Sequence, residues 1–227
     1  MHIIIRRLIA VGLILIAVSM TAAAHKPISI GGVFPTYDQA LKMTNIDVSQ
    51  VVYSPLNNAN AQLWLVFQAD EDSRLDVSLG VPVLDRLEGY RPNLAVLGPG
   101  LPGLDLGFET PENVGGVMFQ SASAQLRREF YEPFTGTNSW ILIEEAITLP
   151  EAGTYYVVAW PSGEQIDKLW VAIGKREEFG FSDFATFPRI VHDARAFHEV
   201  SEPHWLSTAS KIAFLGVAAV LILTLAF

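Results

Sequence analysis

The chain has 227 residues, no cysteine and a formal net charge of −9, and half of its residues are hydrophobic. The absence of cysteine excludes disulfides, thiolate nucleophiles and cysteine-ligated metal sites. The negative charge disfavours binding to nucleic acid, so no nucleic-acid partner is expected.

The first 24 residues have the three parts of a secretory signal peptide. Arg6 and Arg7 form the basic part, residues 8–20 form the apolar part, and small residues precede the expected cleavage site after Ala24. Cleavage there makes His25 the first residue of the mature protein. An uncleaved signal anchor is the alternative, but the apolar part is shorter than the roughly 20 residues of a spanning helix.

Residues 25–180 have the alternation and the β-branched and aromatic content of β-strands. Turns rich in Gly, Pro, Asn and Asp separate the strands, and no long amphipathic helix interrupts them. The pattern predicts an all-β ectodomain, an antiparallel β-sandwich or jelly roll. The predicted strands are 48–53, 62–67, 75–79, 94–97, 140–143, 147–149, 154–160 and 169–173. The predicted core residues are Trp64, Leu79, Val96, Trp140, Tyr156 and Trp170.

Two hairpins have recognisable patterns. Residues 63–79 have an aromatic strand, a short turn and a strand of the form L-x-V-x-L, and residues 149–157 have the form L-x-x-x-G-x-Y-Y. These hairpins resemble those of prokaryotic pre-peptidase C-terminal-like jelly rolls. The chain departs from that pattern in lacking the usual Gly in the first turn and in inserting residues 82–134. The resemblance implies a non-catalytic accessory module on the cell surface.

The inserted segment ends in an aromatic and polar stretch. Long structured loops often carry function, so we predict a partner-binding surface there. Its residues are Tyr131, Glu132, Phe134 and Thr135. The alternative is a rigid loop packed over the end of the sandwich.

The C-terminal part combines an aromatic segment and an apolar one. Residues 181–204 contain several phenylalanines and are too apolar for a free linker. We expect this juxtamembrane segment to fold back on the sandwich or to dock a partner near the membrane. Residues 205–227 would reach about 34 Å as a helix, enough for a bilayer core of about 30 Å. Trp205 and Lys211 suit the interface, and a buried helix is the alternative.

No signature of catalysis is evident. The chain lacks a Gly-x-Ser-x-Gly elbow, a His-Glu-x-x-His motif and a phosphate-binding loop. The pairs Glu144–Glu145 and Glu177–Glu178 are adjacent residues, which point to opposite faces of a strand and make no acid–base pair. The sequence therefore predicts no enzyme activity and no required cofactor.

Copper is the one cofactor that the histidines suggest. A mature terminus at His25 would offer an α-amine and an imidazole, which with a second histidine form a copper site known as a histidine brace. His198 is the first candidate for that second ligand and His192 is the next. A spacing of six residues places these two about 240° apart on a helix, so they would not share a face. The alternative is that each is a surface or linker histidine.

Two further features have a functional and a structural interpretation. Residues 70–72 are all acidic and would bind Ca²⁺ at a sandwich edge, but they lack the spacing of an EF-hand and fit a solvated turn. The strand tryptophans would stack on sugars if exposed, although strand aromatics belong more often to the core.

Together these features predict a single-pass protein of the cytoplasmic membrane, with its sandwich on the extracytoplasmic side. We expect a non-catalytic binding or assembly role with a membrane or surface protein as partner, as a subunit of a larger membrane complex. The alternatives are a copper-binding protein and a glycan-binding surface module.

Overall fold

The structure is a computed structural model that describes residues 26–122, 128–133, 135–176, 178 and 186–201. The predicted signal peptide, His25, Phe134 and the predicted anchor at 205–227 lie outside the described residues. Within the described part of the chain, no helix is long and apolar enough to cross a membrane.

The described residues form two β-sheets and one α-helix. In chain order the elements are β1 (Lys26–Ile30), β2 (Leu41–Lys42), β3 (Gln50–Ser54), β4 (Leu63–Ala69), β5 (Arg74–Pro82), β6 (Asn93–Gly98), β7 (Gly115–Gln120), β8 (Arg128–Glu132), β9 (Thr137–Thr148), β10 (Gly153–Trp160), β11 (Leu169–Ile173) and α1 (Phe187–Phe197). Sheet A has the order β1-β3-β11-β5-β9-β8, and sheet B has the order β2-β4-β10-β6-β7. The predicted β-sandwich is confirmed.

The expectation of purely antiparallel sheets is wrong for two edge strands. β1 pairs with β3 in parallel, and β2 pairs with β4 in parallel. β2 lies in the other sheet between β1 and β3 in the sequence, and this crossover lets β1 and β3 run in the same direction. Pro27 fits an edge strand because it cannot donate a backbone hydrogen bond to a second neighbour.

The core between the sheets is built from alternate strand residues, which include Leu79, Val96 and Trp140. Trp64 and Trp170 are also buried, but on the outer faces of sheets B and A. Tyr155, rather than the predicted Tyr156, is the fully buried tyrosine of β10. The alternation of a strand puts neighbouring residues on opposite faces, and Tyr156 lies on the outer side beside Trp64.

Both outer faces are covered. On sheet B, Leu104, Leu106 and Phe108 of the long inserted segment pack over Trp64. On sheet A, Phe197 of α1 packs with Tyr53 and Trp170. Residues 187–197 of the segment predicted to lie next to the membrane therefore fold back on the sandwich, which is one of the two arrangements expected from its apolar composition.

The sandwich has two distinct ends. We call the upper end the one formed by the connections 43–49, 70–73, 99–114 and 149–152 and by residues 174–176 after β11. The β4–β5 and β9–β10 connections at this end pass from one sheet to the other, so the prediction of a hairpin at residues 63–79 is wrong: its two strands lie in different sheets. The lower end is formed by the connections 31–40, 55–62, 83–92, 133–136 and 161–168. α1 finishes at the lower end, where Glu199 pairs with Arg86 and Lys168.

Candidate functional site

The contact between α1 and sheet A brings together residues from four distant parts of the sequence. The helix buries Val191, Ala194 and Phe197 on one face, and the ring centroid of Phe197 lies 5.0 Å from that of Tyr53. A spacing of three residues keeps these side chains on the same side of a helix. The residue after the helix, His198, follows them into the interface.

His198 takes part in a buried chain of hydrogen bonds. Its Nδ1 lies 2.7 Å from the carbonyl oxygen of Ala194, which can only accept, so Nδ1 carries the proton. Its Nε2 lies 3.0 Å from Oγ of Ser139 and accepts from that hydroxyl. Trp170 Nε1 in turn donates to Ser139 Oγ at 3.1 Å. Both ring nitrogens of His198 are therefore occupied in its neutral form.

The surroundings of His198 oppose its protonation. Only 4% of the residue is exposed, and this burial lowers its pKa from 6.5 to about 4. The positive charges of Lys168 and Arg195 lower the pKa further, whereas the hydrogen bond to the carbonyl oxygen of Ala194 raises it in part. The imidazole is neutral at pH 7 because a charged ring would lose its hydration without gaining a counter-ion.

A small cavity lies beside this chain. Its volume is about 20 Å³, which is enough for one water molecule. The polar residues that line it are Tyr53, Glu132, Thr137 and Ser139. The pKa of the Tyr53 hydroxyl is raised by burial and, to a smaller extent, by the carboxylate of Glu132. A cavity of this size admits a single small polar molecule and excludes an organic substrate.

Arg195 connects the helix to the β8–β9 hairpin. Its Nη1 donates to the carbonyl oxygens of Thr135 at 2.8 Å and Gly136 at 2.9 Å. Its Nε donates to the carbonyl oxygen of Ser201 at 2.9 Å, and Nη2 donates to the same atom. Gly136 has φ of 63°, a left-handed conformation that suits glycine and turns the hairpin toward the arginine. One side chain thus holds the hairpin and the chain after α1 in one place.

A surface network fixes the lower end of α1 from the other side. Arg86 Nη1 donates to Glu199 at 2.9 Å, and Arg86 Nε donates to Asp167 at 3.0 Å. Lys168 Nζ donates to Glu199 at 2.8 Å. The hydrogen bonds from Arg86 and then Lys168 lower the pKa of Glu199 to about 2. Single exposed ion pairs contribute little, so the value of this network lies in joining three segments at one point.

Of the four residues predicted as a partner-binding surface, two are buried and one is exposed. Glu132 and Thr135 are only 8% and 3% exposed, because the hairpin that carries them packs beneath Arg195. Phe134 lies outside the described residues. Tyr131 is different, since it is 58% exposed and is the most exposed large hydrophobic residue of the described chain.

Tyr131 lies on an edge strand. β8 is the last strand of sheet A, paired on one side with β9, where Tyr131 lies opposite Asn138. Three of the other four residues of β8 are charged, and one of them, Arg128, pairs with Glu144 at 3.0 Å. Charged residues at a sheet edge discourage indiscriminate strand pairing. An exposed tyrosine among them provides one apolar contact point with a polar tip.

The copper site stays a prediction, and the structure limits which histidines can take part. His198 already uses both ring nitrogens, and His192 lies on the exposed side of α1. Lys26, which follows His25, pairs with Gln50, whereas the ring of His198 contacts Tyr53, three residues further along β3. These three residues correspond to about 10 Å of strand. No group of three metal-binding side chains occurs among the described residues.

The structure also bears on the glycan-binding and Ca²⁺-binding interpretations. Trp64, Trp140 and Trp170 are at most 7% exposed, so their faces do not offer a stacking platform for sugars, and Trp160 is half-buried against Phe108. The acidic residues 70–72 are exposed in the β4–β5 turn, which is closed by a hydrogen bond from Ser73 N to Asp70 O at 3.2 Å. Their exposure fits a solvated turn.

Sequence reasoning missed the polar residues that hold α1 in place. Ser139, Arg195, Glu199 and Arg86 have no motif and no characteristic spacing. Arg86 and Glu199 are 113 residues apart. A partial signal existed in residues 187–197, where apolar residues recur at helical spacing after a proline in the first turn.

The comparisons with known proteins find similarity among solved structures. A scan against family models matches no family, and a search of the curated proteins matches none of them. A search of solved structures finds similarity to the pre-peptidase C-terminal domain of a collagenase from Bacillus anthracis, at 11% identity and a TM-score of 0.31. The match covers 58% of this chain and 91% of that chain. It is the class of domain that the two hairpins resemble.

Proposed function

We propose that this protein is a non-catalytic binding module, exported and held in the cytoplasmic membrane by residues 205–227. Its sandwich lies on the extracytoplasmic side and docks a membrane or surface protein through the edge strand β8. In this role the protein is a subunit of a larger membrane assembly. The observation that carries the proposal is Tyr131, a tyrosine 58% exposed on an edge strand.

Two physical arguments support this surface. Edge strands offer main-chain groups to a partner, and pockets for alternate side chains then supply specificity. Exposed tyrosines are frequent anchors of protein interfaces, because they bury a large area with few rotatable bonds. The strand is also held in place, since Phe130 packs into the cluster under α1 and Glu132 is buried. A strand that is already ordered loses less conformational entropy on binding.

The test uses the absence of cysteine in the chain. Tyr131→Cys is labelled from outside intact cells with a membrane-impermeant maleimide that carries a photo-crosslinker. Met118→Cys is the matched control, because Met118 is 37% exposed on β7, the edge strand of sheet B. We expect a discrete crosslinked adduct from position 131 and none from position 118.

Three results would contradict the proposal. If neither cysteine is labelled until the membrane is lysed, the sandwich is not outside. Equal adducts from positions 131 and 118 would mean that the contact is not specific to β8. Recovery of the labelled protein only as a monomer, without an adduct, would reject a partner at this strand.

A further inference from the structure

The chain after α1 is tied to one end of the sandwich. Ser201 is the last described residue, and its carbonyl oxygen accepts hydrogen bonds from Arg195. Glu199, two residues earlier, is bound by Arg86 and Lys168 from the connections of the lower end. The point at which the chain leaves the sandwich is therefore fixed at the lower end.

The distance from this point to the apolar segment is short. Trp205 follows Ser201 by four residues, which extend to at most about 14 Å. β9 alone has 12 residues and a length of about 40 Å between the two ends of the sandwich. If residues 205–227 lie in the bilayer, the tether is too short for the sandwich to stand on its upper end with the lower end about 40 Å from the membrane.

The charges of the two ends favour the same orientation as the length of the tether. The upper segments 43–49, 70–73, 99–114, 149–152 and 174–176 hold eight Asp or Glu and two Lys or Arg, a net charge of −6. Such an end is repelled by anionic headgroups. The more acidic end thus lies away from the last described residue, Ser201.

The lower end is less negative. Its connections 31–40, 55–62, 83–92, 133–136 and 161–168 hold five Asp or Glu and three Lys or Arg, a net charge of −2. Val200, an apolar residue that is 38% exposed, lies here beside Ser201. The length of the tether and the distribution of charge are independent observations that favour the same orientation.

We propose that the lower end is a membrane-facing surface that rests on the lipid headgroups, with the upper end held about 40 Å away from the bilayer. The inference rests on the proposed anchor and adds a fixed orientation to it. It also specifies the partner, because Tyr131 lies near the lower end, opposite Asn138. A protein that contacts this tyrosine must present its docking surface close to the membrane.

The test compares labels at the two ends of the full-length protein. Gly89→Cys and Gly163→Cys report on the lower end, and Gly103→Cys reports on the upper end. These three glycines are exposed, and a Cβ added at any of them meets no atom within 4 Å, so the variants should keep the fold. Each variant carries a donor fluorophore and is reconstituted into vesicles of phosphatidylethanolamine and phosphatidylglycerol that contain an acceptor on the lipid headgroups.

We expect energy transfer to be several-fold greater from positions 89 and 163 than from position 103. Equal transfer from all three positions, in protein that floats with the vesicles, would overturn the orientation and leave the anchor intact. Greater transfer from position 103 would reverse it. Protein that does not float with the vesicles would reject the anchor, and the membrane-facing surface with it.

Discussion

Protonation of His198 should weaken the fold in acid, and the structure gives the size of the effect. The buried ring has its pKa lowered from 6.5 to about 4. Between these values the unfolded chain binds a proton that the folded protein does not bind. Stability therefore rises with pH across this range and is lost as the pH falls. The two pKa values correspond to about 3 kcal/mol of unfolding free energy, lost completely below about pH 4.

The assay is urea unfolding of the full-length protein in mild detergent, followed by tryptophan fluorescence between pH 7 and pH 4.5. His198→Gln should be less stable than the unmodified protein at pH 7 and nearly independent of pH in this range. His192→Gln is the matched control, because His192 lies on the exposed side of the same helix. Glu199 interferes little, since its pKa is lowered from 4.5 to about 2 and its contribution to stability is lost mainly between these two values, below the range of the assay.

One result would refute the reasoning about His198. If the unmodified protein and His198→Gln lose the same free energy between pH 7 and pH 4.5, the buried imidazole is not the group that titrates. A direct titration of the ring protons by nuclear magnetic resonance would test the same point. A midpoint near 4 would agree with the buried interface, and a midpoint near 6.5 would contradict it.

The remaining predictions concern the core and the two labelling experiments. Gly98→Ala should destabilise the fold by about 1–3 kcal/mol, because the new Cβ would lie 2.1 Å from the buried ring of Tyr155. Gly103→Ala is the control and should be neutral, because a Cβ there meets no atom within 4 Å. Equal melting temperatures of the two variants would contradict the prediction. Leu79→Ala should cost about 2–5 kcal/mol, since Leu79 is fully buried between the sheets, whereas Val33→Ala at an exposed site should change the urea midpoint little. Crosslinking from position 131 but not 118, and stronger energy transfer to the lipid from positions 89 and 163 than from 103, complete the set.

The strands of the sandwich core were predictable because their residues alternate with period two or form short apolar runs. Residues 75–79 have this alternation, whereas 63–67 and 169–173 are continuous runs of β-branched, aromatic and other apolar residues, and all three lie within strands of the structure. The edge strands were missed for the opposite reason. β1, β7 and β8 are paired on one side in a sheet, and their burial alternates weakly or not at all.

Register and long-range contacts were beyond the reach of sequence patterns. In β10 the adjacent residues Tyr155 and Tyr156 point to opposite faces of the sheet, so one of them points inward. Because either arrangement leaves an aromatic residue on each face, the sequence pattern does not show which tyrosine is buried. The choice depends on Gly98, whose missing side chain makes room for Tyr155. Likewise, nothing in residues 187–201 indicates that Ser139 and Arg86 are their partners, because the pairing depends on the complete fold.

The strand order has a consequence for how the protein is made. β11 lies between β3 and β5 in sheet A, and β10 lies between β4 and β6 in sheet B. Sheet A lacks an interior strand until β11 has been synthesised, and sheet B lacks one until β10 has been synthesised. The helix α1 follows both strands in the sequence and packs on sheet A last. A chain that crosses a membrane amino-terminus first would stay open for most of its passage, because its central strands arrive last. Such a topology folds slowly for its size, and it delays folding until almost the whole sandwich is on one side.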